Sequence, residues 1–179
     1  MAARILEEFK EIHDESNKSN NNCGITIGLV NDDSYYDWKI TLVGPKDTCY
    51  KGGCFILRAH FPDDYPNKPP EVNFITPIYH VNVKPTAPKS KGEESLGHIC
   101  ISTLNWWQPQ YRMREVLLNI YSLFYMHNPD SAYDIKRAKE YNEDEGIYLN
   151  KAQHFTKKYA TFQNNYINYD RTQDWDFTL

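Results

Sequence analysis

Between residues 25 and 74, four short runs alternate apolar and polar side chains with a period of two: Ile25, Ile27 and Leu29; Tyr36, Trp38, Ile40 and Leu42; Phe55, Leu57, Ala59 and Phe61; Val72 and Phe74. In an extended chain that period puts the apolar side chains on one face, so each run predicts a strand with one buried side. Turns with Gly and Pro separate the later runs, which favours an antiparallel meander. A sheet that is apolar on one face needs helices to cover it.

Those helices are visible on both sides of the strands. Ile5, Leu6, Phe9 and Ile12 form the stripe of a first helix, expected to end before the polar run 16–22, which reads as a loop. After Pro109, Met113, Val116, Leu117, Ile120, Tyr121 and Phe124 predict a central helix, and Leu118 beside the stripe suggests burial on more than one side. Tyr148, Ala152, Phe155, Tyr159 and Phe162 predict a C-terminal helix, with a shorter one around Ile135 and Ala138. Helix, sheet, then helices reads as α+β. At 179 residues the chain is long enough for one domain with a real core and no disulfide support. Fourteen Tyr and eight Phe make that core aromatic-rich. The stretch 83–95 is rich in Pro, Lys, Ser and Glu, a composition that neither forms a strand nor buries itself.

Charge and cysteine usage exclude several function classes. The net charge is −4 with acids and bases interleaved, so the clustered Lys and Arg of a nucleic-acid site are missing and no nucleic-acid partner is expected. No run of about 18 apolar residues occurs, and Met1-Ala2-Ala3-Arg4 leads into an acidic amphipathic segment, unlike a secretion signal. The expectation is a cytoplasmic or nuclear protein without a membrane partner. Cys23, Cys49, Cys54 and Cys100 show no C-x-x-C pairing, so neither a metal site nor a disulfide framework is indicated, and no cofactor is implied.

The chemistry-bearing residues lie in two segments, Tyr79-His80-Val81-Asn82 and Gly97-His98-Ile99-Cys100, whose cysteine comes eighteen positions after the asparagine. A cysteine thiol can hold an acyl group as a thioester, and a carboxamide N–H can stabilise the oxyanion formed when an amine attacks it. Cys100 and Asn82 supply those groups. A thiol hydrolase built from Cys100, His80 and Asn82 is a rival, but residues two apart in an extended segment point the same way, so one would not orient the other behind the nucleophile.

The flanks of these residues resemble the ubiquitin-conjugating enzymes. The resemblance runs from Tyr36-Asp37-Trp38 through Gly44-Pro45-Lys46-Asp47 and Phe61-Pro62-Asp63-Asp64-Tyr65-Pro66-Asn67-Lys68-Pro69-Pro70 to Trp107-Gln108-Pro109 and Asn128-Pro129-Asp130-Ser131, and fades near Tyr159. It implies the family's α+β fold, with an N-terminal helix, a four-stranded antiparallel meander, a central helix and C-terminal helices. It also divides the chain into a conjugating core at 1–162, interrupted by an insertion at about 84–95, and a C-terminal extension at 163–179. The implied activity is acceptance of ubiquitin or a ubiquitin-like protein from an activating enzyme as a thioester on Cys100, then transfer to a lysine of a protein substrate, usually with a ubiquitin ligase. ATP is used by the activating enzyme alone. A catalytically silent ubiquitin-binding scaffold of the same fold is the alternative, and the presence of Cys100 argues against it.

The resemblance also assigns individual residues. Asn82 is the oxyanion donor or a brace for the Cys100 loop; His80, with Tyr79 before it, shapes the turn; Ser102 and Ser131 line the approach of the lysine, where many relatives carry Asp. Val81 stands where relatives have proline, which implies a less rigid turn. Pro66 and Asn67, with Trp107, Pro109 and Gln110, form the ligase surface, and Asn67 replaces an apolar aromatic. Leu118 and Ser122 match positions that hold the carried ubiquitin against the enzyme, with core packing as the equal alternative for Leu118. The acidic first helix departs from the basic face that relatives present to the activating enzyme.

Overall fold

The computed structural model describes residues 2–18, 24–85 and 97–162. Helix α1 (Ala2–Lys18) precedes strands β1 (Ile25–Asn31), β2 (Ser34–Val43), β3 (Cys54–His60) and β4 (Glu71–Phe74). Then come a short α2 (Ser102–Asn105), the central α3 (Met113–Ser122), a 3-10 turn at Pro129–Ser131, α4 (Ile135–Glu143) and α5 (Glu145–Tyr159). The strands form one antiparallel sheet in the order β1-β2-β3-β4, the meander that the alternation predicts.

Register explains why the alternation was so informative. Ile27 pairs with Ile40, Ile40 with Leu57 and Leu57 with Phe74, while Leu29, Trp38, Ala59 and Val72 form the neighbouring row. The predicted apolar sets therefore line up as rows on one face, and a slip of one residue would turn a whole set to solvent. Trp38, Ile40, Leu42, Phe55, Leu57 and Ala59 are fully buried there.

Helix α1 is tied down by a buried charge. Glu8, 1% exposed, accepts hydrogen bonds from the Tyr65 hydroxyl (2.9 and 3.0 Å), the Met113 N–H (2.7 Å) and Arg4 Nε (2.8 Å). One carboxylate thus joins α1, the loop with the cis Tyr65–Pro66 bond and the first turn of α3. A buried carboxylate is tolerated because its lone pairs are occupied and a cation is adjacent. The exposed acids of α1 also face α3: Glu7 and Glu11 pair with Arg112, and Glu15 with Arg114.

Three expectations about the helices change. Helix α1 continues to Lys18, taking in the first residues of the polar run, because Ser16 Oγ donates to the His13 carbonyl at 2.8 Å and satisfies itself within the helix. Helix α3 buries Met113, Val116, Leu117 and Ile120 on one side only, and Leu118 is 48% exposed. Phe162 lies beyond α5 and is 69% exposed, so the α5 stripe ends at Tyr159. The four-residue α2 was not foreseen. The extension at 163–179 and all of the insertion after Pro85 lie outside the described residues.

Candidate active site

The turn after β4 is built on buried polar side chains. His80 is fully buried; its Nδ1 accepts the Asn82 N–H at 3.0 Å, so its Nε2 carries the proton and donates to the Leu123 carbonyl at 2.9 Å. Its ring stacks on His127 at 4.7 Å. Burial, with the His127 ring second, pushes His80 down to about 3, and burial alone pushes His127 down to about 4. His127 Nε2 lies 3.1 Å from the Tyr50 hydroxyl, which donates to the Tyr79 carbonyl at 2.8 Å. Both His80 nitrogens are therefore committed to backbone. This removes the base that a thiol hydrolase made from Cys100, His80 and Asn82 would need.

Val81 corrects the expectation of a looser turn. Its N–H donates to the Tyr148 hydroxyl of α5 at 3.0 Å, and its carbonyl accepts from the Tyr133 N–H at 2.9 Å. Proline has no N–H to give. Here a hydrogen bond to α5 supplies the fixation that a proline ring would give, and Val81 is fully buried. Tyr79 is held by α4: its hydroxyl donates to Glu140 Oε2 at 2.6 Å, and its ring lies 4.2 Å from the Arg137 guanidinium carbon.

Cys100 is set beside this turn by a short backbone ladder. The Cys100 N–H donates to the Asn82 carbonyl at 2.9 Å, Val83 bridges to Ile99, and the Lys84 N–H donates to the His98 carbonyl at 2.8 Å. Gly97 begins the returning segment with φ +73°, and a Cβ there would sit 2.0 Å from the Phe74 carbonyl oxygen, so the position admits only glycine. The Gly97 N–H donates to the Lys84 carbonyl at 3.2 Å, so the two ends of the insertion meet next to the site.

The cysteines differ in setting. Cys54 is 2% exposed, and burial pushes the Cys49 thiol up to about 11. Cys100 is half-buried, and its Sγ accepts a hydrogen bond from Asn105 Nδ2 at 3.3 Å. Cys23 lies outside the described residues.

Asn82 is 1% exposed and its amide is fully engaged. Nδ2 donates to the carbonyls of Asn128 (2.8 Å) and Ser131 (3.0 Å), and Oδ1 accepts from the Asn128 N–H (2.9 Å). These bonds join the Cys100 ladder to the 128–131 loop. Ser131 closes the 3-10 turn and is exposed, and Ser102 is the exposed first residue of α2, two positions after the thiol. Buried Asn82 thus links the segment of Cys100, with Ser102 two residues on, to the loop that ends in Ser131.

These features can be set beside known proteins. The chain matches the ubiquitin-conjugating enzyme family over residues 4–156. It is 41% identical over 138 residues to Ubiquitin-conjugating enzyme E2 13 of Schizosaccharomyces pombe, covering 76% of this chain and 86% of that one. The chain belongs to the ubiquitin-conjugating enzyme family. Among solved structures it resembles the E2 domain of a Toxoplasma gondii ubiquitin conjugating enzyme, with a TM-score of 0.73 at 28% identity, covering 89% of this chain and 98% of that one. A Plasmodium yoelii structure gives the same TM-score at 31% identity, with 89% and 94% covered. The α+β fold with its N-terminal helix, four-stranded antiparallel sheet and C-terminal helices is that of the conjugating enzymes.

On this conjugating-enzyme fold the loops that carry Pro66 and Trp107 meet: Trp107 Nε1 donates to the Pro66 carbonyl at 2.7 Å, and the Tyr65 and Trp107 rings lie 5.8 Å apart. Asn67, Pro109 and Gln110 are exposed on that corner. Ser122, half-buried, donates to the Asn119 carbonyl at 2.7 Å, one turn from exposed Leu118. Among the described residues no helix is long and apolar enough to cross a membrane, and no three His, Cys, Asp or Glu side chains group to hold a metal ion. Sequence reasoning missed Asn105, His127 and Tyr148. Tyr148 belonged to a recognised stripe, but nothing in a stripe shows which hydroxyl meets a backbone N–H.

Proposed function

We propose that this chain carries ubiquitin or a ubiquitin-like protein as a thioester on Cys100 and passes it to a lysine amine. The observation that carries the reading is the Cys100 thiol itself: half-buried, fixed through its own N–H to the Asn82 carbonyl, and in a less buried setting than Cys54. Loading exchanges the activating enzyme's thioester for one on Sγ. In transfer, the amine lone pair attacks the thioester carbonyl carbon, the C–N bond forms, and the carbonyl electrons move to oxygen. Collapse restores the carbonyl, breaks the C–S bond and releases Sγ with its electron pair; the nitrogen loses a proton to water.

Within this reading Asn82 braces the acceptor side of the site, and His80 and Tyr79 hold the turn. Ser131 and Ser102 line the lysine's path. The Trp107–Pro66 corner with Asn67, Pro109 and Gln110 receives the ligase, and exposed Leu118 with Ser122 receives the carried protein. The activating enzyme is the loading partner. We assign residues 1–162 to the conjugating core, 84–95 to an insertion and 163–179 to an extension. A reduced thiol nucleophile requires a reducing compartment, so the cytoplasm, the nucleus or both are the setting.

The test is a loading assay with ATP, offering ubiquitin and its relatives, each with its own activating enzyme. A reductant-sensitive adduct is expected with one cognate pair. Cys100→Ser should give a reductant-stable adduct, because a seryl ester survives thiols that cleave a thioester. Loading that persists in Cys100→Ala would refute the assignment, and no loading with any pair would favour a silent scaffold.

A further inference from the structure

We infer that Asn105 is a further catalytic residue, the amide donor that stabilises the negative charge gathering on Cys100 Sγ as the amine displaces it. The inference rests on the thioester reading of Cys100. Its first support is direct: Asn105 Nδ2 lies 3.3 Å from Sγ, the one hydrogen bond to that sulfur among the described residues. Its second is the engagement of the other asparagine. Both amide hydrogens of Asn82 are donated to loop carbonyls, so the carboxamide nearest in sequence logic to an oxyanion donor has none left to give.

Local folding explains why Asn105 reaches the thiol. Helix α2 starts two residues after Cys100, and the Asn105 N–H donates to the Ile101 carbonyl at 3.0 Å, closing one α-type turn. A turn of that pitch brings a side chain at the end of the segment back over its start. The far end is held too, since Trp106 N–H donates to the Ser102 carbonyl at 2.8 Å and Trp107 is bonded to Pro66. The second hydrogen on Asn105 Nδ2 has no acceptor among the described residues, and Asn105 is exposed at the surface.

The chemistry follows from the transfer step. Before attack the thioester sulfur is neutral and a weak acceptor; as the C–S bond breaks, the electron pair settles on Sγ and the N–H···S bond strengthens. A donor that meets charge in the transition state and little in the ground state raises the rate without tightening acceptor binding. A hydrogen bond to a charged group corresponds to about ten- to hundredfold in rate.

The experiment loads the wild-type chain and the Asn105→Ala and Asn105→Asp variants with the cognate carried protein, quenches loading, and follows single-turnover discharge. Free lysine and hydroxylamine serve as acceptors. Expected are loaded variants of unchanged thermal stability. Discharge at saturating acceptor should fall about tenfold or more in Asn105→Ala and further in Asn105→Asp, whose carboxylate repels the leaving thiolate. The half-saturating lysine concentration should stay unchanged. Hydroxylamine is small and needs no guidance, so its discharge should slow as well. Wild-type discharge rates in Asn105→Ala, or a loss confined to lysine, would overturn the inference. Failure of the wild-type chain to load would instead overturn the thioester reading beneath it.

Discussion

Replacing Asn82 by Ala separates a brace from an oxyanion donor. The side chain makes three hydrogen bonds, two donated to the Asn128 and Ser131 carbonyls and one accepted from the Asn128 N–H, from a position 1% exposed. At a net value of about 1 kcal/mol each, their loss sets an upper figure of about 3 kcal/mol. Asn128 and Ser131 are exposed, so water can replace part of what Ala removes, and about 2 kcal/mol is the expected cost. Urea denaturation reads that number directly. Amide exchange at Asn128 reads it locally, and release of the loop should accelerate it about ten- to thirtyfold. Because the same loop borders the thiol, loading and discharge should fall together. An oxyanion donor behaves differently, with about a hundred- to thousandfold loss in transfer alone. Stability unchanged within about 0.5 kcal/mol, Asn128 exchange at the wild-type rate and a loss confined to transfer would refute the brace.

Two further outcomes follow from the buried polar cluster. Tyr148→Phe leaves the buried Val81 N–H without its acceptor and should cost about 1–3 kcal/mol by urea denaturation. On a Val81→Pro background, which has no N–H to orphan, the same change should cost at least about 1 kcal/mol less; full additivity would refute the role given to that bond. His80 and His127 are held down to about 3 and about 4, below the ordinary histidine value near 6.5, so the unfolded chain binds more protons than the folded one. Their contribution is complete above about pH 6.5 and is lost on acidification toward pH 4. Each histidine should add up to about 1.4 kcal/mol per pH unit to the slope of stability in that window, and His127→Phe should reduce the slope. An identical slope in that variant would refute the assignment.

Much of this architecture was legible because strands and long helices announce themselves by period. The apolar rows of the sheet depend on a repeat of two, and misplacing one residue would expose a set of large side chains, so Trp38, Ile40 and Leu57 had to fall where they did. Less legible were positions decided by a single partner. Leu118 reads equally as core or as surface, and only its angle on α3, which turns it outward, decides, because a helix buried on one side looks locally like one buried on two. Glu8 reads as one more surface acid; only the convergence of Arg4, Tyr65 and Met113 on its carboxylate buries it, and those residues are distant in sequence from one another.

The candidate site divides in the same way. Cys100 and Asn82 were visible because their chemistry is rare and their flanks distinctive, but the function of each amide depended on where its hydrogens point. A sequence shows that an asparagine is present near a cysteine. It does not show that one asparagine has spent both hydrogens on carbonyls while another, five residues beyond the thiol, aims one at the sulfur. Helix α2, with four residues, is too short to carry a periodic signal, and that turn is what delivers Asn105 to Cys100. A polar group's role in a reaction is set by the partners left to it after the fold has been satisfied, which makes the hydrogen-bond inventory of the folded chain the step at which residue identity becomes mechanism.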